Sequence, residues 1–324
     1  MNTDTKKEKP VATSPVSRNK YDSAWKHIIR SLFKDFLEFL YPEIHETIDF
    51  SKKITFLDKE LHDIQAGSPL GDRVADMLVR VHLKEGYSDG GTQLIRIIAH
   101  IEVQGNALTE LTERMFIYFY RAYDKEKQKN IRIISLLVLT DEDPTYRPDR
   151  FGYKFCGFQI LMEIPIVKLM DYKYNPVLIA KLENSHNPIA LVVKSQLKSL
   201  ELKGADSEKK FEALKELIRL CYKQKYSSEY THFILKFFEL TIRVPDIYKK
   251  SIRQVVLEAE EEFKMDYELS WVRDAANKAA KKAAKDAFLE TAKNLLKMGL
   301  DIGKIADATG LKKAEIEKLG ATAR

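Results

Sequence analysis

Two runs of β-type residues set the hydrophobic pattern of this chain. Val74–Val81 (Val-Ala-Asp-Met-Leu-Val-Arg-Val) and Leu94–Gln104 (Leu-Ile-Arg-Ile-Ile-Ala-His-Ile-Glu-Val-Gln) are rich in Val and Ile and flank a Gly-rich polar stretch, Glu85–Gly91. This arrangement predicts a β-hairpin. The start of one antiparallel strand lies beside the end of the next, so Asp76 and Glu102 can converge. Alternation puts Glu102 and Gln104 on one face and turns Ala99, Ile101 and Val103 toward a core. A carboxylate among apolar neighbours and beside a second carboxylate is costly to bury without compensation. Two readings follow: polar residues facing an edge, or a divalent-metal site of carboxylate oxygens, the donors that Mg²⁺ prefers.

The rest of the pattern surrounds this hairpin with helices. In Tyr21–Leu40, Ile29, Leu32, Phe33, Phe36, Leu37 and Leu40 recur at spacings of three and four, which predicts an amphipathic helix ended by Pro42. Asp22 can be its N-cap. Ile54–Leu61 predicts a short strand carrying Glu60. Leu108–Tyr123 predicts a second helix, with Leu111, Met115, Tyr118, Phe119 and Ala122 on one face. Its Arg114 and Arg121 lie two turns apart on nearly one side, either as a solvated or acid-paired face or as phosphate contacts. Ile131–Thr140 is very apolar, as in a strand covered on both faces. Asp141–Arg150, with Pro144 and Pro148, reads as a loop, and Phe155–Ile160 and Ile164–Leu169 as short strands.

Beyond Pro176 the strand signals fade. Ile179–Glu183, Pro188–Leu200, Ser207–Gln224, Ser228–Arg243 and Tyr248–Lys264 read as consecutive helices, the third capped by Ser207. Trp271–Met298 is rich in Ala and Lys, with Ala275, Ala279, Ala283 and Ala287 every fourth residue, and Gly299 supplies a C-cap. Ile302–Leu319 forms two short helices around Thr309-Gly310, read as a packing or oligomerisation hairpin. The expected organisation is a disordered segment over 1–20, an α/β domain over 21–175, a helical region over 176–268 and a C-terminal helical part over 269–324.

Composition narrows the class. The 324 residues are 44% hydrophobic, the ordinary value for a chain with a sizeable core. The net charge of +6 has the sign that suits a polyanion. Cys156 and Cys221 are far apart and show no zinc-ligand spacing; two buried thiols in a reducing cytosol are expected. No apolar signal segment and no membrane-length apolar run is visible, which predicts a cytoplasmic protein without membrane association. Gly-rich phosphate loops, G-x-S-x-G and H-E-x-x-H are absent. His100 shares a strand face with Glu102 and reads either as a strand residue satisfied by a neighbour or as an auxiliary base or phosphate contact.

An Asp, a hairpin turn and Glu-x-Gln together resemble the PD-(D/E)XK nuclease superfamily, with Gln104 where most members carry Lys. The flanks resemble its Rpn-like branch, the recombination-promoting nuclease and putative transposase family. The matching pieces are Asp22, Phe33, Leu57–Leu61, Ala75–Val79, His100–Gln104, Arg114–Tyr118, Leu137–Asp141 and Ile305–Leu311. The resemblance implies an α/β fold with a mixed sheet of roughly five strands, flanked by the Tyr21 and Leu108 helices and followed by an α-helical C-terminal extension. It also implies a metal-dependent DNA endonuclease linked to recombination or mobile elements. Asp76 and Glu102 would hold Mg²⁺, for which Mn²⁺ can substitute, joined by Asp22 or Glu60. Gln104 would complete the catalytic set, and Arg114, Arg121 and His100 would meet phosphates. DNA is the implied partner; self-association through the C-terminal helices is a separate expectation, from their own periodicity. The alternative is a nucleic-acid-binding or oligomerising protein with weakened catalysis on the same fold, since Gln lacks the charge of Lys.

Overall fold

The computed structural model describes residues 15–58, 62, 77–87, 94–102, 108–126, 131–265, 286–296, 298–313, 315–316 and 318. The protein is mixed α/β and mostly helical. The chain divides into two compact units, Met1–Lys264 and Met265–Arg324.

The first unit opens with helices α1 (Pro15–Ser31), α2 (Phe33–Leu40) and α3 (Pro42–Thr47). The apolar stripe behaves as its spacing requires: Ile28, Ile29, Leu32, Phe33, Phe36 and Leu37 are buried. Two details differ from the pattern. The helix begins at Pro15, inside the segment expected to be disordered, so Asp22 lies within the helix and not at its cap. A bend at Leu32 then separates α1 from α2. Pro42 does close α2, and it opens α3 at the first turn, where a missing N–H costs nothing.

Strands β1 (Thr55–Phe56), β2 (Met77–His82) and β3 (Leu94–Glu102) form an antiparallel ladder. Helix α4 (Leu108–Glu126) then leads to β4 (Arg132–Leu139), which lies parallel to β3. Strand β5 (Arg150–Phe155) pairs with β6 (Phe158–Glu163) as a separate two-stranded ribbon. Strand β7 (Ile166–Lys168) returns parallel to β4. Among the described residues the main sheet has five strands in the order β1-β2-β3-β4-β7.

Parallel neighbours need a crossover, and α4 supplies it. Leu111 and Met115 pack with Leu137 and Leu139, and Tyr118 and Ala122 with Ile133, Leu78 and Leu57. On the other face of the sheet Val79, Ile97, Leu136 and Val138 are also buried, and Phe33 of α2 meets Phe56 of β1 edge-on at 5.8 Å. The expectation that the 131–140 run is covered on both faces holds.

A helical layer follows: α5 (Asp171–Tyr174), α6 (Pro176–Asn184), α7 (Pro188–Glu201), α8 (Ser207–Lys223), α9 (Ser228–Thr241) and α10 (Lys249–Glu262). The N-cap of α8 is Asp206, not Ser207: its Oδ1 accepts from the Lys209 N–H at 2.8 Å. An ionised carboxylate is the stronger acceptor at the positive end of a helix. This layer shares a core with α1 and α2. Fully buried Trp25 meets Phe237 edge-on at 5.3 Å and donates from Nε1 to Gln196 at 3.3 Å. The Tyr230 hydroxyl donates to Asp35 at 3.0 Å.

In the second unit residues 286–296 are helical, and α11 spans Ile302–Thr309. Gly299 takes φ +79° after the first of these and Gly310 takes φ +68° after the second, the left-handed caps their positions call for. Ala292, Ile305, Leu311 and Ile316 form the unit's own small core. Trp271 and the Ala-rich stretch up to residue 285 lie outside the described residues. Among the described residues no helix is long and apolar enough to cross a membrane.

The expectation of two buried thiols fails at Cys156. That residue is exposed at the tip of the β5–β6 ribbon, while Cys221 is buried in α8, and both are free. Cys156 and Gly157 both have positive φ, 45° and 83°, as two-residue hairpin turns require to match the strand twist. Burial pushes the Cys221 thiol above its ordinary pKa, which suppresses the reactive thiolate. In native protein an aromatic disulfide reagent should therefore titrate Cys156 quickly and reach Cys221 only after denaturant is added; fast reaction of both would place Cys221 at the surface. Trp25→Ala should destabilise the first unit by about 3–5 kcal/mol, read as a lower urea midpoint, and an unchanged midpoint would remove Trp25 from the core.

Candidate functional site

The described ladder between β2 and β3 runs from His82↔Leu94 to Met77↔Ala99. It stops one residue short of Asp76, which lies outside the described residues together with Glu60 and Gln104. The backbones of Asp22, His100 and Glu102 are placed, the first in α1 and the other two in β3, but their side chains are outside the described set.

Register locates the β3 pair. His100 pairs with Leu137 and Glu102 with Leu139. Paired residues of neighbouring strands share a face, and Leu137 and Leu139 pack on Leu111 and Met115 of α4. His100 and Glu102 therefore hold positions on the α4 side, at the end of the sheet where β3 and β4 finish. Helix α4 runs back along that face. Its first half, with Arg114, lies over the Leu139 end, and its second half, with Arg121, lies toward Ile133. Seven residues of helix separate the two arginines by about 10 Å along the axis. Arg114 thus sits at the Glu102 end and Arg121 away from it. Both are half-buried and engage other groups of the chain.

The same row of the sheet continues to β7, where Lys168 pairs with Leu139. Lys168 is fully buried, and its Nζ donates to Asp141 Oδ1 at 2.5 Å, with the Tyr146 carbonyl at 3.5 Å and the Tyr146 ring centroid at 5.7 Å. Asp141 Oδ1 also accepts from the Asp143 N–H at 3.0 Å, whereas its buried Oδ2 has no hydrogen-bond partner. Sequence reasoning missed this pair. The signal was present: Ile164, Ile166 and Lys168 alternate on one face of an apolar run, and a lysine there needs an anionic partner.

The pair fixes the loop that leaves the site end of β4. Asp143 Oδ1 accepts from the Thr145 N–H at 2.8 Å and hydroxyl at 2.7 Å, and these bonds hold its carboxyl below the usual carboxylate range. Arg147 makes a two-pronged contact with Asp171 at 2.9 and 2.5 Å. Ile164 N–H donates to the Asp149 carbonyl at 2.7 Å and closes the ribbon's base.

Chemically, this end of the sheet offers an acid position on β3, a cation on β7 whose charge is met by Asp141, and an arginine on α4. Among the described residues no group of three or more His, Cys, Asp or Glu is placed to hold a metal ion. No protein-family model, no curated protein and no solved structure matches this chain.

Removing one member of a buried ion pair strands the other. Lys168→Met should cost about 3–5 kcal/mol, and Lys168→Met with Asp141→Leu should recover most of that loss. Urea unfolding of the two single variants and the double variant measures the coupling; additive losses would show that the two side chains do not support each other.

Proposed function

We propose that this chain is a metal-dependent DNA endonuclease of the PD-(D/E)XK type, hydrolysing phosphodiester bonds, with Asp76, Glu102 and Gln104 as its working residues. The observation that supports this reading is the ladder order. Three antiparallel strands precede a crossover helix and a parallel fourth strand, with Glu102 in the last β3–β4 pair. That order suits the mixed sheet flanked by the Tyr21 and Leu108 helices that the resemblance implies. The reading requires the β2–β3 ladder to run one residue further, with Asp76 opposite His100 and about 7 Å along the strand from Glu102.

The donor chemistry is suited to the ion: carboxylate oxygens from Asp76 and Glu102, joined by Asp22 or Glu60, are hard ligands of the kind Mg²⁺ and Mn²⁺ take. Bound there, the ion would polarise the scissile phosphate and lower the pKa of the attacking water. The chain's own part is to hold and orient. Were β3 to continue past Glu102, alternation would set Gln104 on the same face, where its amide can donate to the attacking water or to a phosphate oxygen and accept a bond in return. Arg114 is at the right end of α4 to meet a flanking phosphate, and His100 is two pairs back from Glu102 in the β3–β4 ladder.

A second reading, a nucleic-acid-binding or oligomerising protein with weakened catalysis, rests on Gln104. Lys168, the lysine in Glu102's own row, does not replace the missing charge. It stands two strands away, roughly 10 Å at ordinary strand spacing, and its ammonium is taken up by Asp141. Self-association through the C-terminal unit belongs to either reading; light scattering of the full chain against one ending at Lys264 tests it, with a lower oligomeric mass expected for the shorter chain.

Cleavage of supercoiled plasmid should require Mg²⁺ or Mn²⁺ and stop with chelator, and Asp76→Asn and Glu102→Gln should each abolish it in folded protein. Gln104→Ala should slow single-turnover cleavage by about 10²–10³, the range for losing one preorganised donor, while Gln104→Lys stays active. Full activity of Asp76→Asn or Glu102→Gln would remove the site assignment, and parental cleavage by Gln104→Ala would reduce that residue to filling space.

A further inference from the structure

Helix α10 closes the first unit, and its charges are arranged against its own stability. Its first turn carries Lys249 and Lys250, with Arg253 one turn on, and its end carries Glu258, Glu260, Glu261 and Glu262. No acid stands in the first turn and no base in the last. A helix prefers the reverse, because its N-terminus is the positive end of the macrodipole and its C-terminus the negative end. Like charges also stand four residues apart, at Lys249 and Arg253 and again at Glu258 and Glu262, where each pair repels along the helix surface. Neither arrangement serves the helix, so the pattern points to something outside it.

The inner side of α10 is apolar. Ile252, Val255, Val256 and Ala259 are buried and hold it on the helical layer. The opposite side is exposed: Lys250, Gln254, Leu257, Glu258 and Glu261 lie along it at helical spacing. Part of the charge is met within the chain. Lys249 pairs with Asp246 at 2.8 Å, and Arg219 of α8 reaches Glu258 and Glu262 at 3.9 Å each. Glu260 accepts from the Tyr222 hydroxyl at 2.9 Å. Lys250, Arg253 and Glu261 have no ion pair among the described residues.

The exposed side is self-complementary. Lys250 and Glu261 lie on nearly one line along the helix, each about 8 Å from its midpoint and on opposite sides of it. Gln254 and Leu257 flank the same midpoint. Lay a second copy of α10 antiparallel on the first, about a two-fold axis at that midpoint. Lys250 of one copy then stands beside Glu261 of the other, twice, and the two Leu257 side chains, each 38% exposed, come together near the axis. The basic half of each helix covers the acidic half of the other.

We propose that the exposed face of α10 is an interaction surface for a second copy of this chain, paired antiparallel through reciprocal Lys250–Glu261 contacts. Charge order fixes the partner. A nucleic-acid strand is repelled by the acidic half, and a protein surface of one sign meets its own sign on half of the helix. A partner must carry the inverse order of charge over about 20 Å, and antiparallel α10 carries it. This surface belongs to the first unit, is distinct from the C-terminal helices, and does not depend on the nuclease reading.

A face one helix long is small, so the association should be reversible. Sedimentation velocity of the full chain over about 1–100 μM, at low and at high salt, tests it. The parent should self-associate as concentration rises, and less so at high salt. Lys250→Glu and Glu261→Lys should each weaken self-association by about tenfold or more, since each sets like charges together twice in the dimer. Circular dichroism should not change, because both positions are exposed. An equimolar mixture of the two single variants should recover association, one copy supplying only acids and the other only bases. The double variant, Lys250→Glu with Glu261→Lys, should recover it in one chain. A parent that stays monomeric throughout overturns the proposal. So do single variants that associate like the parent, which puts the contact elsewhere, and a mixture that associates no better than its components, which shows that the two side chains do not meet.

Discussion

The parallel pairing of β3 with β4 is the constraint on which the first unit depends. Two strands in that relation cannot be joined by a tight turn, so the chain must cross over a face of the sheet and cover it. Helix α4 does this with Leu111, Met115, Tyr118 and Ala122. A strand with a helix on one side and a second buried face on the other leaves room for an exposed polar side chain only at its end, where Arg132 sits, and Ile133 and Leu136–Leu139 are all buried. The opposite layer is tied in as well: the Tyr41 hydroxyl donates to the Leu137 carbonyl at 2.8 Å. The same register that buries Leu139 sets the position of Glu102 beside it.

The end of the sheet is then closed by charge and not by apolar packing alone. Lys168 is placed by the β4–β7 register in a row that is otherwise apolar on β4, and Asp141 meets it from the loop that begins two residues beyond Leu139. A buried pair of this kind contributes little net stability compared with an apolar replacement. What it does is specify the loop's path, together with the Asp143 turn and the Arg147–Asp171 contact. That path delivers the chain into the β5–β6 ribbon and brings it back in time for β7. A stiff ribbon is therefore held at a fixed place relative to the β3–β4 row.

The helical layer is not an appendage to the sheet. Trp25, Asp35 and Phe39 of α1 and α2 are engaged from residues far along the chain: Phe237, Tyr230 and Lys181, whose Nζ donates to the Phe39 carbonyl at 2.6 Å. Helices α1 and α2 thus serve two cores, one toward the sheet and one toward α7 and α9. An amphipathic stripe read from sequence gives the width of the apolar face, but not how many partners share it.

Period and composition alone determined most of the elements. The 3.6-residue stripes located most of the described helices, though not the early start of α1 at Pro15 or the break at Leu32; the Val- and Ile-rich runs located β2, β3 and β4, and glycine marked the caps at Gly299 and Gly310, because these features are local and each is fixed by a few neighbours. The acids and Glu-x-Gln drew attention to the end of β3 for the same reason. Other features needed the tertiary structure. Only register could separate Arg114 from Arg121 relative to Glu102, since both share one helix face and differ in what lies beneath. Only the β4–β7 pairing could bring Lys168 to Asp141, 27 residues apart in sequence. The Phe155–Ile160 run reads as one strand, but Cys156 and Gly157 turn it into the tip of a hairpin, and the exposure of Phe155, Cys156 and Phe158 there was not legible in sequence: burial is a property of what packs against a residue, and that is decided by segments distant in the chain.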